Sequence, residues 1–518
     1  MTRRRENLWA ALVGLVSAAV TLAVAEVAAL ILAPASGPLL AVGALVIDLV
    51  PSWLKDLVID LFGTADKIVL LVSLGVVVAL LAAAIGVLQL RRPPLGIVGL
   101  VVVAGIATFA VTTRAESTAI WAVPTVLGMV AGVTALRIAT DRLRAWRHDA
   151  ASDDPLDSRQ AAVSRRGFLT VLVGTAAASV VVGVAARAMN AGSAAVTAVR
   201  AALKLPAPAV AAPAIPAGAQ LDIDGVSRLV SSNEDFYRID TALQVPVIDA
   251  AQWKLTITGM VENEIEVTFE ELLALPLVEA YVTLMCVSNE VGGQLTGNAT
   301  WLGYPVRELL KRAVPKKGAD VVLSTSQDGW TATTPLAVLE DEQRNSLLAV
   351  GMNGEALPIE HGFPVRMVVP GLYGYVSATK WVVELKVSTF AQESAYWTER
   401  GWSAKGPVKT SSRIDVPSFG TELQAGTVAI AGVAWAQHVG IDKVEVRIDN
   451  EPWREAILAP AISIDTWRQW HIEWEATTGD YTIEVRATDA SGFTQKEQRV
   501  DVVPDGAEGW HTIQVRVA

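Results

Sequence analysis

Hydrophobic positions divide the 518-residue chain into two regimes. Residues 8 to 138 are dominated by Ala, Val, Leu, Ile and Gly in long runs without alternation. Four runs, at 8–33, 67–90, 94–113 and 119–138, are long enough to cross a hydrocarbon core as helix, which takes about 20 apolar residues. A further apolar stretch, 38–63, is interrupted by Asp48, Pro51, Lys55, Asp56 and Asp60 and reads as an interfacial or re-entrant hairpin. From residue 220 onward the pattern is that of a water-soluble region. Short β-rich runs such as "WKLTITGMV", "IEVTF" and "AYVTLMC" alternate with helical pieces such as "FEELLALP" and "YPVRELLKRA", which predicts a mixed α+β domain over 220–395. Thr268 before Glu270 and Glu271 reads as an N-cap with acids in the first helical turn. Beyond 405, runs such as "TVAIAGVAWA", "KVEVRIDN", "QWHIEWEA" and "YTIEVRATDA" alternate with period two between turn signals, predicting an immunoglobulin-like β-sandwich over 405–518.

The arginines orient the membrane part, residues 1–150. Arg3, Arg4 and Arg5 precede the first span, Arg91 and Arg92 separate the second and third, and Arg137, Arg142, Arg144 and Arg147 follow the fourth. All three clusters fall on the same side, the cytoplasm, while the loop 34–66 is poor in positive residues. The stretch 160–190 then contains Ser164-Arg165-Arg166-Gly167-Phe168-Leu169 and an uncharged run to Ala186. It resembles a twin-arginine export signal; a fifth span gives the same topology. Either way the remainder is expected outside, and the twin-arginine route carries proteins already folded around a cofactor. The Ala/Pro-rich linker 191–219 includes "LPAPAVAAPAIPAGA", with four prolines and no charge, which reads as a stiff spacer or a disordered tether.

Composition narrows the chemistry. A hydrophobic share of 52% is too high for an ordinary soluble protein and belongs to the first regime. A net charge of −11, with no basic stripe, argues against nucleic acid. A single cysteine, Cys286, excludes an intramolecular disulfide, a Cys-rich zinc site and a Cys-ligated iron–sulfur cluster. Taken alone, that thiol is as compatible with inert core packing as with a ligand. No Cys-x-x-Cys-His occurs, and the five histidines, His148, His361, His438, His471 and His511, lie outside the four spans. The membrane part therefore lacks the ligands for a bis-histidine haem, and is expected to anchor or to dock a redox partner. Glu26 within the first span marks such a contact or faces a neighbouring helix.

Three separated strings carry a resemblance. "FYRIDTALQVP" from Phe236, "CVSNEVGGQLTGNATWLGYPVRELL" from Cys286 and "MNGEALPIEHGFPVRMVVPGLYGYVSATKW" from Met352 resemble, in order and spacing, the sulfite oxidase family of molybdopterin-dependent oxidoreductases. The resemblance covers about 220–515 and implies a molybdenum–molybdopterin cofactor with one pterin and a bis-oxo metal. Cys286 takes the position of the family's thiolate ligand, a soft donor suited to a high-valent transition metal. Tyr237 and Arg238, with Asn233, are implied as cofactor contacts. So are His361 and Arg366, for the cofactor's polar edge and phosphate. Ala378, Thr379 and Lys380 fall where the family uses backbone groups and a lysine, and Asp328 or Thr325 is a further candidate. Structural alternatives stand beside these: His361 and Arg366 as loop fasteners, Asp328 as a turn residue before Gly329. The C-terminal sandwich corresponds to the family's dimerisation domain, which implies a homodimer, with Trp435, Trp453, Trp467, Trp470 and Trp474 in its core or interface.

Two positions depart from the pattern of sulfite-oxidising members. Val291 stands where they carry an arginine five residues after the cysteine, and Trp402 is the best match to a pocket tyrosine. The loss of a fixed cation weakens sulfite as substrate and leaves the cofactor untouched; Arg238 remains as a cationic catalytic candidate. The implied reaction is a two-electron oxygen-atom transfer on a small oxyanion, with a separate cytochrome or quinone-linked electron partner. Reduction of a sulfoxide on the same cofactor, and a non-catalytic surface binding protein that keeps the fold, are the competing readings.

Overall fold

In the computed structural model, residues 2–33, 36–50, 54, 61, 66–114, 117–149, 163–177, 179, 192–242 and 245–518 are described. The chain forms two compact units: residues 1–194 with 242–244, and residues 195–241 with 245–518. Among the described residues of the first unit, four helices are long and apolar enough to cross a membrane: Arg3–Leu32, Val69–Arg91, Leu95–Thr112 and Ala119–Asp149. Pro38–Leu49 forms a shorter helix of 12 residues; most of the rest of the expected hairpin, to residue 63, lies outside the described residues. Glu26 faces a neighbouring element, since a β-carbon built on Gly37, just before that helix, would sit 3.4 Å from its Oε1.

Small residues set how closely the long helices approach. A β-carbon on Gly14 would strike the carbonyl oxygen of Ala82, and one on Gly86 would strike that of Ala10, so backbone meets backbone at this crossing. The first part of the twin-arginine-like segment is helical over 163–177. Phe168 is fully buried there, with ring centroids 5.7 Å from Trp9 and 5.6 Å from Trp146. Arg165 and Arg166 stay exposed. Residues 160–162, 178 and 180–190, the remainder of that segment, lie outside the described residues.

The second unit holds four sheets. A five-stranded sheet runs Ile265–Thr268, Lys254–Gly259, Val382–Ser388, Val321–Ser326, Thr331–Pro335. Only the pairing of Lys254–Gly259 with Val382–Ser388 is parallel. A second sheet runs Val278–Met285, Thr296–Pro305, Leu347–Met352, Glu355–Ala356, with Arg366–Val368 also on Leu347–Met352. Its longest strand, Thr296–Pro305, is buried at all but one position although it carries Thr296, Asn298 and Thr300. The expected cap is present as a full capping box: Glu271 N donates to Thr268 Oγ1 at 3.2 Å and Thr268 N to Glu271 Oε2 at 2.9 Å.

Residues 411–517 are β-rich. One four-stranded and one five-stranded sheet share a core of Ile430, Trp470, Val444, Val446, Ile483, Val485, Ile513 and Val515 among others. Strand Ile441–Ile448 shows the alternation that the sequence pattern predicts, with Val444, Val446 and Ile448 inward and Glu445 and Arg447 between them. Gly192–Ala202 is a helix, and its Arg200 donates to the carbonyls of Leu357 at 2.7 Å and Ala356 at 2.9 Å. Ala209 N donates to Leu277 O, and Glu279 N to Val210 O, so the proline-rich stretch runs parallel to the edge of Val278–Met285. Prolines suit that place because an edge segment needs few of its own amide donors.

Overpacking the helix crossing gives a direct test. Gly86→Leu should destabilise the detergent-solubilised chain by about 1–3 kcal/mol in thermal unfolding. Gly105→Leu, where a β-carbon meets nothing within 4 Å, should leave the transition nearly unmoved.

Candidate functional site

The site is built at the end of a strand. Val278–Met285 delivers Cys286 into a loop that returns at Thr296. Cys286 N donates to Leu295 O at 2.9 Å, Asn289 N to Cys286 O at 3.1 Å, and Leu295 N to Asn289 Oδ1 at 2.6 Å. Buried Asn289 thus closes the loop and fixes the thiol's backbone. The C-terminal region supports it from behind. Buried Arg413 donates to Gly293 O at 2.7 Å while pairing with Asp415 at 2.6 Å. Trp435 Nε1 points at the Met285 sulfur, 3.0 Å away.

Three cationic or ionisable side chains converge near Cys286. Arg366 is buried, with Nη1 donating to His361 O at 3.1 Å and Nη2 to Ala378 O at 3.4 Å, and its guanidinium lies 5.0 Å from the centre of the Trp301 ring. None of these partners is an anion. Burial pushes Arg366 down to about 10, an unusual position for a guanidinium. Lys380 is also buried and is pushed down to about 8, by burial above all, although Asp240 Oδ2 lies 3.1 Å from its Nζ. Burial, then the charges of Arg366 and Lys380, push His361 down to about 4, so the ring is neutral near pH 7.

Neutrality fixes the tautomer of His361. Its Nε2 lies 3.0 Å from the backbone oxygen of Asn233, which only accepts, so Nε2 carries the proton. Nδ1 is then a buried acceptor without a hydrogen-bond partner among the described residues. Burial raises the Cys286 thiol, with Ser288 and Lys380 pulling the other way. Burial also holds the Tyr237 phenol well above its ordinary range, with Cys286 adding to the effect and Arg366 opposing it.

The structure brings most of the expected residues together, in different capacities. Tyr237, Cys286, His361, Arg366 and Lys380 form the cluster. Ala378 contributes its carbonyl to Arg366. Thr379 turns its hydroxyl inward to Ser324 Oγ at 2.7 Å and accepts from Met367 N through its carbonyl. The amide of Asn233 is spent on Glu355 and Asn353, at 2.5 and 2.8 Å, and reaches the cluster through its backbone. Arg238 is exposed, 3.7 Å from Asp240. Asp328 is exposed in a turn where its carboxylate accepts from Trp330 N at 3.2 Å, and Thr325 contacts Glu384 at 3.5 Å. Two contributors were passed over in the sequence. Asp240 is the buried anion that holds both Lys380 and Arg238, and Trp301 is the ring under Arg366. Both stand inside the quoted strings, but neither has the residue type of a phosphate binder or of a soft thiolate ligand.

A large anionic group fits this chemistry. An uncompensated buried guanidinium calls for an anion, the free acceptor at His361 Nδ1 for a donor, and Cys286 offers one soft sulfur. Among the described residues no group of three or more His, Cys, Asp or Glu could hold a metal ion, so a metal here would need ligands that the cofactor itself brings.

Comparison with known proteins agrees. The profile described as oxidoreductase molybdopterin binding domain matches residues 242–397. The chain is 33% identical over 160 residues to the uncharacterized oxidoreductase YuiH of Bacillus subtilis (strain 168), covering 30% of this chain and 76% of that protein. It is 29% identical over 330 residues to mitochondrial sulfite oxidase of Rattus norvegicus, covering 53% of this chain and 59% of the relative. The match thus spans only part of the sulfite oxidase's length. The sulfane dehydrogenase SoxCD from Paracoccus pantotrophus shares the fold, with a TM-score of 0.50, 22% identity and coverage of 57% of this chain and 82% of that one. The chain belongs to the sulfite oxidase family of molybdopterin-dependent oxidoreductases, whose cofactor is molybdenum–molybdopterin.

The buried histidine yields a pH prediction for cofactor-free protein. The unfolded chain protonates His361 near its ordinary value of 6.5, the folded chain only near 4. Between these values the unfolded state binds more protons, so stability falls as pH drops through the window, by on the order of 3 kcal/mol. His511, also pushed to about 4 by burial, has the same sign. The readout is therefore the difference: His361→Gln should flatten the pH dependence of the melting temperature between 6.5 and 4 without abolishing it.

Proposed function

We propose that this chain is a membrane-anchored molybdenum oxidoreductase that acts outside the cytoplasm on a small oxyanion, sulfite-like substrate and passes electrons to a separate redox partner. The observation that carries this reading is buried Arg366, a cation with no carboxylate partner among the described residues, in one cluster with Cys286, Tyr237 and His361. When bound, the cofactor supplies two-electron oxygen-atom transfer, chemistry that no side chain performs alone.

The chain's own residues bind and orient. Cys286 would be the metal's protein ligand, held by the Asn289 loop, its thiol giving up its proton on binding there against the effect of burial. Arg366 and Lys380 take the anionic part of the pterin, and His361 Nδ1 accepts from its polar edge. Tyr237 contributes a phenol that stays protonated as a donor. Arg238, exposed and only partly neutralised by Asp240, draws an oxyanion to the cleft. With Val291 at the family's arginine position, Arg238 carries more of that duty than in sulfite-oxidising relatives.

The organisation proposed is residues 1–150 as the anchor, 160–190 as the twin-arginine-like segment, 191–219 as a linker that is helical and then extended, 220–395 as the cofactor domain and 405–518 as an immunoglobulin-like dimerisation domain. The four long apolar helices and the arginine pattern support the anchor and its direction.

The test is metal content. Molybdenum and pterin should co-purify with the full chain, and Cys286→Ser should lose most of the molybdenum while retaining its melting transition. Equal molybdenum in both proteins would defeat the ligand assignment.

A further inference from the structure

Resting on the membrane anchor and its direction proposed above, a groove in the first unit and two arginines at its end acquire a use. Next to the close crossing at Gly14 and Gly86, an open groove of about 450 Å³ runs between Arg3–Leu32 and Val69–Arg91. Its wall includes Ala11 on the first helix and Ala83, Ala84 and Leu88 on the second, and Arg91 and Arg92 stand where the second helix ends. The groove stays open because the wall is short: alanine on both helices leaves space that a leucine would fill.

Helical register joins the apolar wall to the charge. Arg92 N still donates to Leu88 O at 2.8 Å, so the register continues one residue past the helix end. Ala84, Leu88 and Arg92 therefore lie along one face, over about 12 Å at a rise of about 1.5 Å per residue. The charge at the end of that face is uncompensated. Arg91 Nε donates to Asn7 Oδ1 at 2.8 Å, a neutral acceptor. Arg92 is exposed, without a carboxylate partner among the described residues, and no Asp or Glu lines the groove. Other arginines of the same positive cluster are spent: Arg144 lies 3.0 Å from Asp141, and Arg147 3.7 Å from Glu6.

We propose that the groove binds one anionic phospholipid of the cytoplasmic leaflet, its headgroup phosphate on Arg91 and Arg92 and an acyl chain along Ala84 and Leu88. The chemistry matches at both ends. Each guanidinium presents a planar fork to phosphate oxygens, at the depth where a span meets the headgroups. The acyl chain takes an apolar groove that opens toward hydrocarbon. Free phosphate would use the arginines alone and leave the apolar wall without a function. A second copy of this chain fits less well, because a two-fold contact across the groove sets Arg91 and Arg92 against their own counterparts.

The test uses the full chain in mild detergent, probed by native mass spectrometry with phosphatidylglycerol and phosphatidylcholine of identical acyl chains. Each arginine beside an anionic headgroup contributes about fivefold in affinity, so phosphatidylglycerol should bind about 25-fold more tightly than phosphatidylcholine. Arg92→Gln should cut that preference to about fivefold. Ala84→Leu, at an exposed position, should weaken both lipids by filling the groove, with the melting transition unmoved. Arg137→Gln, an exposed arginine outside the groove, should change neither. Equal binding of the two lipids by the parent overturns the proposal, as does a preference that Arg92→Gln leaves intact. So does displacement of the lipid by millimolar inorganic phosphate, or a two-chain mass that Ala84→Leu disperses. Alkaline carbonate extraction tests the anchor by itself. Release of the parent from membranes sinks the anchor and the lipid site together, whereas an integral chain without lipid preference sinks the lipid site alone.

Discussion

Everything at this site follows from one buried charge without a counter-ion among the described residues. Arg366 is enclosed, and its guanidinium is satisfied by the His361 and Ala378 carbonyls and by the Trp301 ring, with no carboxylate. Carbonyl dipoles and an aromatic face offset part of the desolvation cost of a cation, but not its field. That field, together with burial, holds His361 and Lys380 below their ordinary values. Three neighbouring groups thus disfavour positive charge for the same reason. A bound anion reverses the sign for all of them together, which couples cofactor binding to the stability of the loops that supply the carbonyls.

The chain's overall charge of −11 does not bear on this, because exposed charges beyond about 10 Å are screened while buried ones are not. Asp240 marks the limit of the positive region. It is nearly enclosed and lies 3.1 Å from Lys380, so that lysine is half-spent before any ligand arrives. Arg366 has no such partner among the described residues, so its field is the less compensated of the two.

Much of the architecture was legible because its signals are local. Long apolar runs give four long helices, the Thr268–Glu271 pattern gives a capping box, and period-two alternation gives Ile441–Ile448. Cys286, Tyr237, His361, Arg366 and Lys380 were legible because they sit in strings whose order carries the family resemblance. What failed to show was set by tertiary contact. The proline-rich stretch has the composition of a spacer, yet it lies along the sheet edge at Val278, because hydrogen bonds from Ala209 and Glu279 are available there. Asn233 has the residue type of a ligand contact, but Glu355 and Asn353 occupy its amide. Asp328 looks like a polar site residue, and its carboxylate closes a turn. Trp301 is an ordinary apolar residue on a buried strand until the fold sets Arg366 over its face.

The C-terminal region belongs to the site as much as to its own core. Arg413, paired with Asp415, reaches Gly293 in the cysteine loop and Ser227 at 2.7 Å in the segment before Tyr237. His511 packs so closely on Gly292 that a β-carbon there would collide with its ring. A glycine is needed at Gly292 on two counts, this approach and a φ of +81. A loop of about ten residues closed only by Asn289 would keep much of its conformational freedom, at roughly 1–2 kcal/mol per residue of ordering. Anchoring it at Gly292 and Gly293 from a separately packed β-rich core removes that freedom before any cofactor arrives. The Cys286 backbone then needs no further ordering when a cofactor binds. The two β regions are therefore better regarded as one catalytic scaffold than as a catalytic domain with an appendage.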